Sequence, residues 1–168
     1  MVEIRRACLA DTSGIIYVCS EGYRKTYESL IPTHYIEKTI KQFYNEDRIK
    51  HEVLTVNKKW NGWFVAIDKD RVVGAGAGGF IDDEKSELFV LYLDPNRKRE
   101  GIGTKLLDAI TNDQVNHGAT EQWVSVFKNN VMGIPFYEAM GFMYPCEHPT
   151  YAFPDGDGFV SLRYKRFV

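Results

Sequence analysis

The strongest constraint on the fold is a strand-like run followed directly by a glycine-containing loop and an amphipathic helix. Residues 87–93 (ELFVLYL) are the most strand-like in the chain. After the loop that follows them, apolar residues recur at helical spacing up to Gly118, and glycine is typical of the end of a helix. Gly101 and Gly103 let the backbone turn so that several amide N–H groups converge where the helix dipole is positive. The pattern favours a bound diphosphate, although alone it also fits an ordinary turn with a solvated basic rim. The basic residues of this segment, which would add long-range attraction, are Arg97, Lys98, Arg99 and Lys105.

A second glycine-rich stretch, GAGAGG at 74–79, satisfies the pattern GxGxxG. A dinucleotide-binding fingerprint must open a helix, because the phosphates bind the N–H groups at that helix's N-terminus. Only FIDDEKS separates this stretch from the next strand, which leaves no room for a helix. We therefore expect a glycine-softened strand or a bulge, where a ligand or another stretch of backbone approaches closely.

The order of predicted elements is β-α-α-β-β-β-α-β-α-β-β. This order predicts a mixed α/β fold whose sheet is not all parallel, because the central hairpins are too short for crossovers. At 168 residues the chain has about the size of one domain, so we expect a single domain over 1–168. Asp11 is the expected N-cap of the first helix, Pro32 opens the second, and the polar segment NEDRIKHE follows it. Strands are predicted at 2–8, 63–67, 71–78, 87–93, 121–127, 142–153 and 159–167, with a short helix at 131–140.

Composition excludes several classes of protein. The net charge of −2 argues against general nucleic-acid binding, which needs a concentrated basic face. The longest apolar run, 88–93, is far shorter than the ~20 residues that span a bilayer, and the N-terminus has no apolar stretch typical of a secretory signal. Three cysteines (Cys8, Cys19 and Cys146) without CxxC spacing, and histidines without paired spacing, predict neither disulfides nor a metal. We expect a cytoplasmic protein with no membrane partner.

Two motifs in their order and spacing resemble the Gcn5-related N-acetyltransferase (GNAT) superfamily. The loop after LYLDP matches that family's [Gln/Arg]-x-x-Gly-x-[Gly/Ala] signature through Lys98, Gly101 and Gly103. The later segment NVMGIPFYEAMGF matches Asn-x-x-Ala-x-x-Phe-Tyr-x-x-x-Gly-Phe, from Asn130 to Phe142. Two positions depart from the pattern, because Lys98 replaces Gln or Arg and Gly133 replaces Ala. The loop binds mostly through backbone amides in that family, so the first departure affects at most one side-chain contact.

The resemblance implies a GNAT fold, with a mostly antiparallel central sheet between helices, and acetyl-CoA as co-substrate. It also implies direct attack of an amine on the thioester, which agrees with a sequence lacking a GxSxG motif. In the family, the strand before the loop splays from its neighbour and frees backbone groups, which here belong to Leu91 and Leu93. The N–H of Leu91 is the candidate oxyanion donor. The resemblance assigns coenzyme A binding to Leu91, Leu93, Lys98, Arg99, Glu100, Gly101, Ile102, Gly103, Thr104, Asn130 and Tyr137.

Two residues are candidates for proton transfer. Tyr137 is the candidate general acid, because a phenol with a pKa near ~10 stays protonated at pH 7 yet can protonate a thiolate; the alternative is a core aromatic residue. Asn130 is expected to cap the helix beginning near Val131 as well as to contact coenzyme A. Glu87 is the candidate general base, expected to share a strand face with Leu91, and is otherwise a solvated strand end.

The amine acceptor is not specified by either motif. We expect a primary amine on a small molecule such as a polyamine, an aminoglycoside or an amino-acid-like compound. The acidic residues at 82–84, Asp155 and Asp157 could attract a cationic acceptor, or could be ordinary surface charge. A protein N-terminus or lysine as acceptor, a non-catalytic acyl-CoA sensor and a homodimer all remain open. Aromatic residues that could form the acceptor pocket, or simply the core, are Tyr17, Tyr23, Tyr27, Trp60, Trp63, Tyr144, Tyr151 and Phe153.

Overall fold

The computed structural model describes residues 1–149 and 160–168. It contains one seven-stranded sheet in the order β1-β2-β3-β4-β5-β7-β6. The strands are β1 (Glu3–Arg6), β2 (Trp63–Asp68), β3 (Arg71–Phe80), β4 (Lys85–Leu93), β5 (Glu121–Phe127), β6 (Met143–Pro149) and β7 (Val160–Phe167). The helices are α1 (Thr12–Tyr27), α2 (Thr33–Phe43), α3 (Glu46–Leu54), α4 (Ile102–Asn116) and α5 (Gly133–Ala139), with a 3-10 turn at Leu9–Asp11.

All strand pairs are antiparallel except β4–β5, which α4 connects as a crossover. This mixed, mostly antiparallel sheet flanked by helices confirms the predicted fold class. The parallel ladder covers only 85–88 against 121–124. Beyond it β4 stays paired with β3 and β5 with β7, so the two strands diverge towards their carboxyl ends.

The two faces of the sheet carry separate hydrophobic clusters. On one face α4 buries Ile102, Leu106 and Ile110, with Leu91 and Leu93 of β4 packed against the same cluster. On the other face α1 and α3 cover the alanines of β3, and Val90 and Tyr92 join that cluster. Because side chains of a strand alternate between faces, the carboxyl half of β4 contributes to both.

A bulge in β4 changes which residues share a face. Ala77 pairs with Val90 whereas Gly78 pairs with Leu88, so Phe89 is an extra residue on the bulged strand. Leu88 consequently lies in the same cluster as Leu91, three positions later. The expectation that Glu87 shares a face with Leu91 is therefore wrong.

Helix α3 was not predicted, although its polar sequence contains a recognisable start. The side chain of Asn45 accepts a hydrogen bond from the N–H of Arg48 at 2.9 Å. Ile49 and Val53, four residues apart, are buried against the sheet. Asp11 occupies the predicted N-cap position of α1, but its side chain makes no capping hydrogen bond and instead binds the Arg5 guanidinium at 2.7 Å and the Cys8 N–H at 2.8 Å.

The GAGAGG stretch lies inside β3 and opens no helix, as expected. Two of its glycines are required by close backbone contacts. A Cβ at Gly79 would lie 1.9 Å from the carbonyl oxygen of Lys59, and one at Gly78 would lie 2.4 Å from that of Glu87. Of the helices among residues 1–149 and 160–168, none combines the length and apolar character needed to cross a bilayer.

Candidate active site

A cleft of about 1170 Å³ opens where β4 and β5 diverge. One end is formed by the loop before α4, by α4 itself and by α5. The other end is formed by α1, α2, α3 and the start of β2. Residues 88–93 of β4 and 124–127 of β5, from the last paired position onwards, also line the cleft.

The backbone of β4 directs polar groups into this opening. The N–H of Asp94 donates to the carbonyl of Val73 at 2.9 Å, which marks a hydrogen-bonded position of the β3–β4 ladder. Such positions alternate along an antiparallel pair, so Leu93 and Leu91 occupy the non-hydrogen-bonded positions. Their N–H and C=O groups point away from β3 towards the opening. This is the backbone geometry that the family resemblance implied.

The loop before α4 forms an anion-attracting end. Gly101 has φ +77°, a left-handed conformation that suits glycine and that turns the chain into the helix. The first N–H groups of α4 have no carbonyl partner within the helix and face the cleft together with the dipole's positive end. The predicted loop residues that line the cleft are Lys98, Arg99, Gly101, Ile102, Gly103 and Thr104.

The other charged residues of this loop neutralise one another. Arg97 binds Glu100 at 2.7 Å and Asp68 at 2.9 Å, and the hydrogen bond to Arg97 lowers the pKa of the Glu100 carboxyl. Glu100 lies outside the cleft lining, so only its backbone can serve the predicted binding role. Among the four basic residues expected to attract an anion, Lys98 and Arg99 line the cleft.

Asn130 lies at the start of α5 and lines the cleft. Its Oδ1 accepts hydrogen bonds from the N–H groups of Met132 at 3.2 Å and Gly133 at 2.9 Å. The helix begins at Gly133, two residues later than expected, but the capping role of the side chain is as predicted.

Tyr137 projects from α5 into the cleft lining. Its ring packs edge-on against Phe136 and Phe142, with centroids 5.1 and 5.6 Å away. Burial raises the pKa of the phenol above its ordinary value, because the charged phenolate is poorly solvated there. The hydroxyl therefore keeps its proton at neutral pH, as a general acid must.

Glu87 differs from both of its predicted environments. Its side chain is buried rather than solvated and binds the Arg163 guanidinium at 2.6 Å. Arg163 also donates to Ser125 at 2.9 Å and lies 5.1 Å from the Trp123 ring centroid. Glu87 lies outside the cleft lining, because the bulge at Phe89 separates its face from that of Leu91.

A buried polar network under the bulge was missed by sequence reasoning. Gln114 is fully buried and donates to the carbonyl oxygen of Glu87 at 3.1 Å. It accepts from Gln122 at 2.9 Å, and Gln122 in turn accepts from Arg166 at 2.9 Å. The available signal was helical spacing, since Gln114 follows the buried Ile110 by four residues in α4.

Aromatic side chains enclose the end of the cleft away from α4. Of the predicted residues, Tyr23, Tyr27, Trp60 and Trp63 line it. Tyr17 and Tyr144 lie elsewhere and are half exposed or more, while Tyr151, Phe153, Asp155 and Asp157 lie outside the described residues. The acidic residues at 82–84 form a surface turn with Lys58 and Lys85 rather than lining the cleft. Aromatic lining residues that the sequence did not single out are Phe43, Tyr44, Phe89, Tyr92 and Phe127.

A sheet of this order, opened between β4 and β5 beside a helix N-terminus, defines the acyl-CoA N-acyltransferase class. The sequence profile of the Acetyltransferase (GNAT) family matches residues 23–142. The chain belongs to this family and is an acetyltransferase, which confirms the resemblance seen in its two motifs.

Individual relatives agree over most of the chain. It is similar to spermidine N(1)-acetyltransferase of Thermoplasma acidophilum, with 28% identity over 145 residues, 84% of this chain and 88% of the relative. It is similar to the uncharacterized N-acetyltransferase YuaI of Bacillus subtilis, with 34% identity over 145 residues, 83% of this chain and 79% of the relative. The crystal structure of PaiA N-acetyltransferase from Thermoplasma acidophilum in complex with coenzyme A is similar with a TM-score of 0.83, 25% identity and 99% coverage of both chains.

Proposed function

We propose that this chain transfers the acetyl group of acetyl-CoA directly to a primary amine on a small molecule. The observation that carries the proposal is the divergence of β4 and β5. Because the strands diverge, the backbone N–H and C=O groups of Leu91 and Leu93 point into a cleft beside the N-terminus of α4. Such a cleft lets a thioester carrier and an amine approach the same strand from opposite ends. The similarity to an acetyltransferase crystallised with coenzyme A supports the carrier.

In this proposal the diphosphate of coenzyme A binds the amides at 101–104, and Lys98 and Arg99 add charge attraction. The pantetheine arm follows the free backbone groups of Leu91 and Leu93, much as an added strand would. Asn130 contacts the carrier while it caps α5. The thioester carbonyl then lies near the Leu91 N–H.

The chemistry needs no covalent enzyme intermediate. A neutral amine attacks the thioester carbon, and the Leu91 N–H stabilises the oxyanion of the tetrahedral intermediate. As the C–S bond breaks, Tyr137 donates its proton to the departing thiolate. Glu87 is held by Arg163 outside the cleft, so we assign it the structural role of anchoring β4. The amine loses its proton to water.

The test is thermal melting with acetyl-CoA, followed by the initial rate of thiol release over a panel of amines. The panel contains spermidine, an aminoglycoside, free lysine, a peptide with a free N-terminus and a lysine peptide. Because Cys8 and Cys146 are exposed free thiols, each rate is corrected against a reaction without acceptor. We expect acetyl-CoA to raise the melting temperature and small amines to release thiol.

The other results are equally informative. Faster release with a peptide than with every small amine would identify a protein acetyltransferase instead. A raised melting temperature without thiol release from any amine would identify an acyl-CoA sensor. An unchanged melting temperature would contradict the proposed carrier site.

A further inference from the structure

A carboxylate that the proposed chemistry does not use lines the aromatic end of the cleft. Glu52 lies in the last turns of α3, and its side chain is 16% exposed. Around it the cleft is lined by an aromatic arm, which we define as Phe43, Tyr44, Trp60, Trp63 and Phe89. A carboxylate among aromatic rings is a combination that attracts organic cations, through charge and through the ring faces.

Hydrogen bonds fix the position of Glu52. The indole N–H of Trp63 donates to its Oε1 at 3.2 Å, and the indole N–H of Trp60 donates to its main-chain oxygen at 2.9 Å. Trp60 in turn stacks parallel on Phe89, with centroids 6.2 Å apart. Phe89 is the bulge residue two positions before Leu91, so the arm connects Glu52 to the strand that carries the proposed oxyanion donor.

The arm already holds one cation, which belongs to the chain itself. Arg48 donates through Nε to Glu52 Oε2 at 3.2 Å, and its guanidinium lies 4.5 Å from the ring centroid of Phe43. The Arg48 side chain is 42% exposed. An ion pair this open to solvent is weak, so a ligand cation can replace Arg48 on the carboxylate.

Glu52 has little competition as a cation partner in the cleft. Among the residues that the structure describes, the carboxylates lining the cleft are Glu52 and Asp94. Asp94 lies at the opposite end, where its Oδ1 accepts the N–H of Asn96 at 2.9 Å beside the anion-attracting loop. A cationic acceptor is therefore directed to the Glu52 end.

We propose that Glu52 and the aromatic arm bind a second, protonated nitrogen of the acceptor, which makes diamines and polyamines the preferred substrate class. This inference rests on the proposed function. The nitrogen held by Glu52 is not the one acetylated, since it stays protonated while the other amine reaches the thioester as the neutral base. Arg48 then acts as an internal competitor for the same carboxylate.

The test compares butane-1,4-diamine with n-butylamine, which differ by the second nitrogen. We expect Glu52→Gln, which preserves size and the acceptor for Trp63, to lower the ratio of their kcat/KM values about 10-fold, as loss of one charge-assisted contact would. Arg48→Gln should change that ratio in the opposite direction. Glu46→Gln, an exposed carboxylate on the same helix, is the matched control and should leave it unchanged.

A ratio that stays at the wild-type value in Glu52→Gln would overturn the inference, and so would a change of the same size in Glu46→Gln. Failure of the proposed function has a different signature, because wild-type protein would then release thiol faster with a peptide than with every small amine, or would release none with any amine. In either case the binding of butane-1,4-diamine, measured by titration calorimetry, is compared between wild type and Glu52→Gln. Equal titration curves would refute the site, and a curve weakened about 10-fold would support it.

Discussion

The two ends of the cleft present different chemical groups, backbone at one end and side chains at the other. The end beside α4 presents mainly backbone: the amides at 101–104 and the free groups of Leu91 and Leu93. The end beside α3 presents side chains from separate elements, such as Tyr23, Trp63 and Glu52. A site lined by backbone tolerates many side-chain changes, whereas each substitution at the other end alters its shape and charge. The first end therefore suits a fixed carrier, and the second suits a particular acceptor.

Of the substitutions that distinguish the two ends of the cleft, Tyr137→Phe should have the largest effect, and that effect is on kcat. Loss of a general acid typically reduces kcat about 100-fold or more, while the KM for acetyl-CoA should change little because the ring contacts remain. The measurement is steady-state kinetics with the best amine of the panel.

Tyr164→Phe is the control for this change, because Tyr164 is a buried phenol of the same hydrophobic cluster. It should retain wild-type kcat. A wild-type kcat in Tyr137→Phe as well would remove Tyr137 from the mechanism and leave the carrier end purely a binding site.

Gln114→Leu tests the junction between the two ends. Removal of the amide leaves the carbonyl of Glu87 without this donor beside the bulge, which should cost about 2 kcal/mol of stability. Urea unfolding measures the loss. Because the bulge orients β4 towards both ends of the cleft, we expect the KM values for acetyl-CoA and amine to rise together.

Asn112→Leu, at an exposed position of α4, should change neither stability nor KM appreciably. If Gln114→Leu unfolds at the wild-type urea concentration, the network does not support the bulge.

Gly101→Ala should have the smallest effect. It tests whether the end of the cleft beside α4, the carrier end, binds acetyl-CoA mainly through backbone groups. A Cβ at Gly101 meets nothing within 4 Å, so the change acts only through φ +77°, at a cost of about 1 kcal/mol. The KM for acetyl-CoA should rise several-fold, while the KM for amine stays constant.

Gly118→Ala is a matched control, because Gly118 also has a positive φ, +101°, and a Cβ added there would meet nothing within 4 Å. It should lose a similar amount of stability in urea without a change in either KM. Equal KM values for acetyl-CoA in the Gly101 and Gly118 variants would argue that the backbone conformation at Gly101 does not contribute to binding acetyl-CoA.

Local sequence determined the carrier end of the molecule. Gly101, Gly103 and Asn130 act through turns, a helix start and a cap, each of which depends on neighbours within a few residues. The mixed character of the sheet followed from hairpins too short for crossovers. The start of α3 at Asn45 was visible in the same way, as a capping residue before acidic residues, and was missed because the segment is so polar.

Tertiary structure alone decided the rest. The bulge at Phe89 exists only through pairing with Ala77 and Gly78, and it moved Glu87 onto another face and into an ion pair with Arg163. The aromatic arm joins residues from the end of α2, from β2 and the loop before it, and from β4, and no spacing along the chain encodes their proximity. Backbone conformation is set by near neighbours, but the partner of a charge or a ring is set by what the folded sheet places opposite it.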